Sequence, residues 1–130
     1  MQAFESSLQI ASQSELLIWQ SLQRENNDPA YTLAFRFKIK STISFFAVQK
    51  SISRLLNDHC PGLCYQFFER KNILYKQFVV PSKTPVLRLT KEQRIHKTIF
   101  SEELIPLYYF AWRKGEMIIQ LSHLVIDGGC

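Results

Sequence analysis

The clearest periodicity in the chain has a repeat of two. Leu33, Phe35, Phe37 and Ile39 alternate with Arg36, Lys38 and Lys40, which predicts a strand with one apolar face buried and one polar face in solvent. Upstream, Leu16, Leu17, Trp19 and Leu22 follow Ser12 and Glu15, a serine and a glutamate spaced as in a capping box. In that motif the serine hydroxyl accepts an amide of the first turn and the glutamate reaches back to the serine amide. The spacing predicts a helix of about three turns ending near Arg24. The run Glu25-Asn26-Asn27-Asp28-Pro29 stops it, because proline pushes its predecessor out of the helical region. After a turn at Ser41 to Ile43, a second helix is expected from about Ser44, with Phe45, Val48, Ile52, Leu55 and Leu56 on one face. It ends around Asn57-Asp58, before Pro61-Gly62.

From Leu63 the pattern is that of strands. Leu63 to Glu69 and Ile73 to Val80 flank the polar turn Arg70-Lys71-Asn72 and predict a hairpin. Pro81 and Pro85 bound a loop before a short strand at Val86 to Leu89. The stretch Lys91 to Glu103 is ambiguous and accommodates a short helix. Leu107 to Trp112 and Met117 to Leu121 bracket Arg113-Lys114-Gly115-Glu116, a second hairpin. The order of helix, strand, helix, hairpin, irregular region and hairpin predicts an α+β layer architecture.

Composition adds limits. At 130 residues, with 46% hydrophobic and 21% charged positions, the chain has the make-up of one globular domain. No apolar run approaches the roughly 20 residues a membrane helix needs. The start Met1-Gln2-Ala3-Phe4-Glu5 lacks the basic-then-apolar order of a signal peptide. No membrane partner is expected. The odd cysteine set, Cys60, Cys64 and Cys130, argues for reduced thiols and a cytoplasmic setting. A net charge of +5 invites a nucleic-acid reading. The basic residues are scattered, however, with runs no longer than Arg70-Lys71, so they describe a solvated surface that suits an acidic partner, and no nucleic acid is expected.

The chemistry concentrates at the C-terminus. Ser122-His123 closes an apolar strand, and Asp127-Gly128-Gly129 follows. A histidine leaving a strand end into a loop is placed to face a cleft, and its ordinary titration range suits proton transfer. The glycines allow a sharp turn, and Asp127 can pair with a basic group to hold the loop. Taken alone the pattern is short enough to arise by chance: a satisfied histidine at a strand end, followed by a plain Asp-Gly turn, also accounts for it.

Upstream residues change that balance. Ser14-Glu15-Leu16-Leu17-Ile18-Trp19 resembles the first motif of nonribosomal peptide synthetase condensation domains, roughly A-Q-x-R-L-W. Pro29-Ala30-Tyr31 follows Trp19 at a similar spacing. Pro61-Gly62-Leu63 with Phe67 is similar to H-P-G-L-R-T-x-F, and Ile105-Pro106-Leu107 to G-P-L. Ser122-His123 through Asp127-Gly128 then resembles H-H-x-x-x-D-G, shared as H-x-x-x-D-G with chloramphenicol acetyltransferase and its relatives.

The resemblance implies an N-terminal lobe, residues 1–130, of a chloramphenicol acetyltransferase-like fold: a half-domain with a mixed or antiparallel sheet and helices packed on one face. It implies acyl transfer from a thioester to an amine or hydroxyl acceptor. His123 is then the catalytic residue, as general base or as support for the tetrahedral intermediate. Ser122, Asp127 and Gly128 shape the motif. The acyl substrate is linked to phosphopantetheine on a carrier protein, or to coenzyme A in the smaller relatives. No metal and no tightly bound cofactor are implied. The expected partners are carrier proteins, and the remaining lobe of the enzyme or a self-association surface. The same resemblance admits a coenzyme A-dependent acyltransferase, or a non-catalytic module that docks carrier proteins.

Departures from the family pattern are specific. Ser122 stands where the first motif histidine falls, Leu17 replaces an arginine, and Cys64 replaces the arginine of L-R-T. The family builds its active site between two lobes over a much longer chain, so the 130 residues are expected to be inactive alone. Other candidates are weaker. His59, Cys60 and Cys64 are too few and too loosely spaced for an ordinary zinc site. Cys130 is at the very end of the chain, where nothing constrains a nucleophile. His96 sits in a charged stretch with Arg94 and Lys97 and is expected at the surface.

Overall fold

The structure is a computed structural model, described here for residues 8–24, 32–95 and 107–126. A short strand β1 (Gln9–Ile10) leads into helix α1 (Gln13–Arg24). The capping box forms as expected: the Ser12 amide donates to Glu15 Oε1 at 2.8 Å, and the Glu15 amide donates to Ser12 Oγ at 3.2 Å. Strand β2 (Thr32–Lys38) and helix α2 (Phe45–Arg54) follow. Ser44 caps α2 by accepting the Ala47 amide at 3.1 Å. The helix widens into a π turn, Leu55–His59, closed by a bond of 2.7 Å from the Cys60 amide to the Leu55 carbonyl. A 3-10 turn, Pro61–Cys64, then delivers the chain to the strands.

Strands β3 (Tyr65–Arg70) and β4 (Ile73–Phe78) form the first hairpin. Its turn is tighter than the three-residue reading. Lys71 and Asn72 both have positive φ, 52° and 66°, the backbone of a type I′ turn that matches strand twist. β1 adds to the outside of β4, a pairing with no signal in a two-residue strand. The other sheet is four-stranded, in the order β2-β7-β6-β5, with β5 (Val86–Arg88), β6 (Tyr108–Arg113) and β7 (Glu116–Ser122). β6 and β7 form the second expected hairpin, with Gly115 at φ +82° in the turn. β5 runs parallel to β6. The four-stranded sheet is therefore mixed and the three-stranded one antiparallel.

Register sorts the residues of the larger sheet. Leu33, Phe35 and Phe37 lie opposite Leu121, Ile119 and Met117, which lie opposite Tyr108, Phe110 and Trp112. Paired residues share a face, and α2 packs on this one. The Phe45 ring is 5.6 Å from that of Trp112, and the Arg88 guanidinium lies 5.4 Å and 5.5 Å from the two ring centroids. One core cluster joins Trp19 of α1, Leu56 of the π turn, Phe67 and Leu74 of the smaller sheet, and Phe110 and Met117 of the larger. Ile118, Ala111 and Leu89 make a separate small cluster.

One expectation fails in an informative way. The apolar face of β2 is not buried: Phe35 is 45% and Phe37 47% exposed. Among the described residues β2 is an edge strand, with β7 as its neighbour in the sheet. The groove beside it, about 390 Å³ and lined by Leu33, Phe35, Leu55, Leu63, Ile119 and Leu121 among others, stays open. Leu17, expected on the apolar stripe of α1, is exposed as well, while Trp19 is buried.

Candidate functional site

The site is reached through the middle of the larger sheet. β7 lies between β2 and β6, so its C-terminal end is fixed from both sides. At that end Ser122 pairs with Thr32, and its amide donates to the Leu107 carbonyl at 3.0 Å. Ser122 is wholly buried, and its Oγ accepts the Leu124 amide at 3.3 Å. That contact satisfies one of the amide donors that a helix start leaves without a partner.

His123 does not enter a loop, as the sequence suggests. It opens α3, a single turn over His123–Ile126. The reason is local and tertiary together: Ser122 caps the turn, and Leu124 and Val125 are driven into the main core, 0% and 2% exposed. The backbone at His123 is thus fixed by its neighbours in sequence. The residue is half-buried and its Nδ1 is shielded from solvent. Such a ring has few orientations, which is what a positioned proton-transfer group needs. Asp127 and Gly128 lie outside the described residues, as do Pro29-Ala30-Tyr31, His96, Ile105-Pro106 and Cys130.

Tyr108 pairs with Leu121, two residues before His123. Burial pushes its hydroxyl above the ordinary tyrosine range, with the Cys64 thiol adding to the effect. Cys64, free and buried at the end of the 3-10 turn, is pushed up to about 11 by burial. It stays a thiol at neutral pH and is no nucleophile. Among the described residues Cys64 is a free thiol. His59 is exposed at the end of the π turn.

Several basic residues have defined partners. Arg36 donates from Nη2 to Glu116 at 2.6 Å, Arg113 Nε lies 3.1 Å from the same carboxylate, and Arg88 stacks on Phe45 and Trp112. Two tethers of α1 were not foreseen. Trp19 Nε1 donates to Glu69 at 2.5 Å, and Lys76 Nζ donates to Glu15 at 3.0 Å. Glu15 carried a signal only for its capping role. Gln120 was also missed: by alternation it belongs to a wet face, yet it is 1% exposed.

With the geometry established, the fold defines a class: an α+β arrangement that matches part of a condensation-domain fold, with the histidine at the end of a central strand. No protein-family model matches the chain, and no curated protein matches it in sequence. Among solved structures, it is similar to the starter condensation domain of rhizomide synthetase. The TM-score is 0.70 at 21% identity, over 91% of this chain and 34% of that one. An arginine-to-alanine variant of that domain in complex with C8-CoA gives a TM-score of 0.67 at 21% identity, over 92% of this chain and 32% of that one. A doubly substituted variant in complex with C8-CoA and Leu-SNAC gives 0.63 at 20% identity, over 92% and 31%. The chain spans about a third of the length of these structures, and at such identities the likeness establishes the fold. Among the described residues, no helix is long and apolar enough to cross a membrane.

Proposed function

We propose that this chain is the N-terminal lobe of a condensation-type acyltransferase and that His123 is its catalytic residue. The carrying observation is the position of His123: it leaves a central strand, with Ser122 and Leu124 locked on either side and Nδ1 shielded. Similarity to a domain whose variants are complexed with C8-CoA supports an acyl thioester as donor. In this reading the donor is carried on phosphopantetheine of a carrier protein or on coenzyme A, and the acceptor is an amine. The amine nitrogen attacks the thioester carbonyl, the C–N bond forms and the C–S bond breaks. The proton given up by nitrogen passes through His123 to the departing thiolate. Asp127 and Gly128 belong to the same motif and keep their roles as shapers of the turn. The remaining lobe supplies the other wall of the site, consistent with a chain that spans a third of its structural neighbours.

The test is an acyl-transfer assay on the enzyme that contains this lobe together with the remaining one, given an acyl thioester and an amine. We expect amide formation, lowered about 10²- to 10⁴-fold by His123→Ala, and no turnover by the 130 residues alone. Full turnover by the His123→Ala enzyme would remove the histidine from the mechanism. Carrier binding without transfer by the two-lobed protein would instead assign the fold a docking role.

A further inference from the structure

We propose that two copies of this chain associate through β2, edge to edge and antiparallel, about a twofold axis at Phe35. The inference does not depend on the acyl-transfer reading. Among the described residues β2 has β7 on one side and no strand on the other, and Ala34 through Lys38 are all exposed. The direction of its backbone groups follows from one bond: the Ile39 amide donates to the Gly115 carbonyl of the turn that leads into β7. Strand alternation then turns the amides of Leu33, Phe35 and Phe37 toward β7, and those of Ala34, Arg36 and Lys38 outward. A row of outward amides and carbonyls on an edge strand is a template for another strand.

The side chains select the occupant and the register. With the axis at Phe35, Ala34 exchanges backbone hydrogen bonds with the partner's Arg36. Phe35 then meets the partner's Phe35 as a close pair without hydrogen bonds between them, and Leu33 meets the partner's Phe37. The half-exposed apolar residues thus meet their own copies side by side along the new edge. On the polar face Arg36 is opposite alanine and Lys38 is opposite threonine, and each Arg36 is already paired with its own Glu116 at 2.6 Å. Moving the axis to Arg36 sets two guanidiniums opposite each other. Moving it to Phe37 sets Arg36 opposite the partner's Lys38. Like charges directly opposite are unfavourable, so charge argues against both shifts, and an axis at Phe35 pairs the whole of β2, Thr32 through Lys38, with its copy.

Light scattering on the 130-residue chain from about 1 to about 100 µM tests this, with two variants beside the wild type. Phe35→Lys places like charges at the axis. Ala34→Pro removes an amide that faces outward and leaves the bonds to β7 intact. We expect a wild-type species of twice the 15.3 kDa chain mass, and association weakened about tenfold or more in both variants. Hydrogen exchange on the wild type gives a readout independent of the variants' folding: the amides of Ala34, Arg36 and Lys38 should gain protection as concentration rises. A wild-type monomer throughout the range overturns the proposal, as a strand from another polypeptide would then be the occupant. So does a dimer whose Ala34 and Arg36 amides exchange freely, or one that both variants form with unchanged affinity.

Discussion

Glu15 Oε2 lies 3.0 Å from Lys76 Nζ, while Oε1 of the same carboxylate accepts the Ser12 amide at 2.8 Å. One acid therefore both starts α1 and ties it to β4. Glu15 is 4% exposed, so its charge has been taken out of water and depends on these partners.

Replacing Glu15 with Gln keeps an oxygen for the Ser12 amide but strands the Lys76 charge. We expect a loss of about 1–3 kcal/mol of stability, read as a lower urea midpoint at unchanged slope. Combining it with Lys76→Met should recover part of the loss, because no unpaired charge remains. Strict additivity of the two changes would mean that the pair is not coupled.

The grip on His123 makes a second prediction. Ser122→Ala leaves the buried Leu124 amide without its acceptor and should cost about 1–2 kcal/mol. Leu124→Ala opens a cavity in the main core and should cost about 2–5 kcal/mol. Thermal unfolding of the two variants measures both. A neutral Ser122→Ala would show that the turn at His123 is held without its cap.

Alkaline pH supplies a third. The folded-state value of Cys64 is about 11, against 9.0 for a solvated thiol. The group is raised, so its contribution is fully present below about pH 9 and is lost as pH rises toward 11. The size of that contribution is roughly 2 kcal/mol. Cys64→Ala should lower stability at neutral pH through lost packing and reduce the decline between pH 9 and 11. An unchanged alkaline decline in the variant would assign it to other groups, Tyr108 and Tyr109 among them, whose hydroxyls burial also raises.

The elements were legible where local rules are strong. The capping box at Ser12 and Glu15, the start of α2 near Ser44, the apolar face from Phe45 to Leu56 and both hairpins stand as the residue pattern predicts. Each rests on contacts between residues a few positions apart. His123 stood at a strand end by the same local rules, but it became a candidate only through the motifs spread upstream from Trp19 to Leu107.

What the pattern alone left open depends on which element lies beside which. Alternation marks Leu33, Phe35 and Phe37 as one face of a strand, but only the sheet order makes that strand an edge and leaves the face half-exposed. Alternation likewise assigns Gln120 and Ser122 to solvent, whereas the central place of β7 buries both. The helical turn at His123, in place of a loop, comes from Leu124 and Val125 finding the core that distant elements build. The sequence by itself determined the α+β elements and offered the histidine as a candidate; tertiary packing decided that the residues on either side of it would be buried and that β2 would be left open, because burial is a property of neighbours distant along the chain.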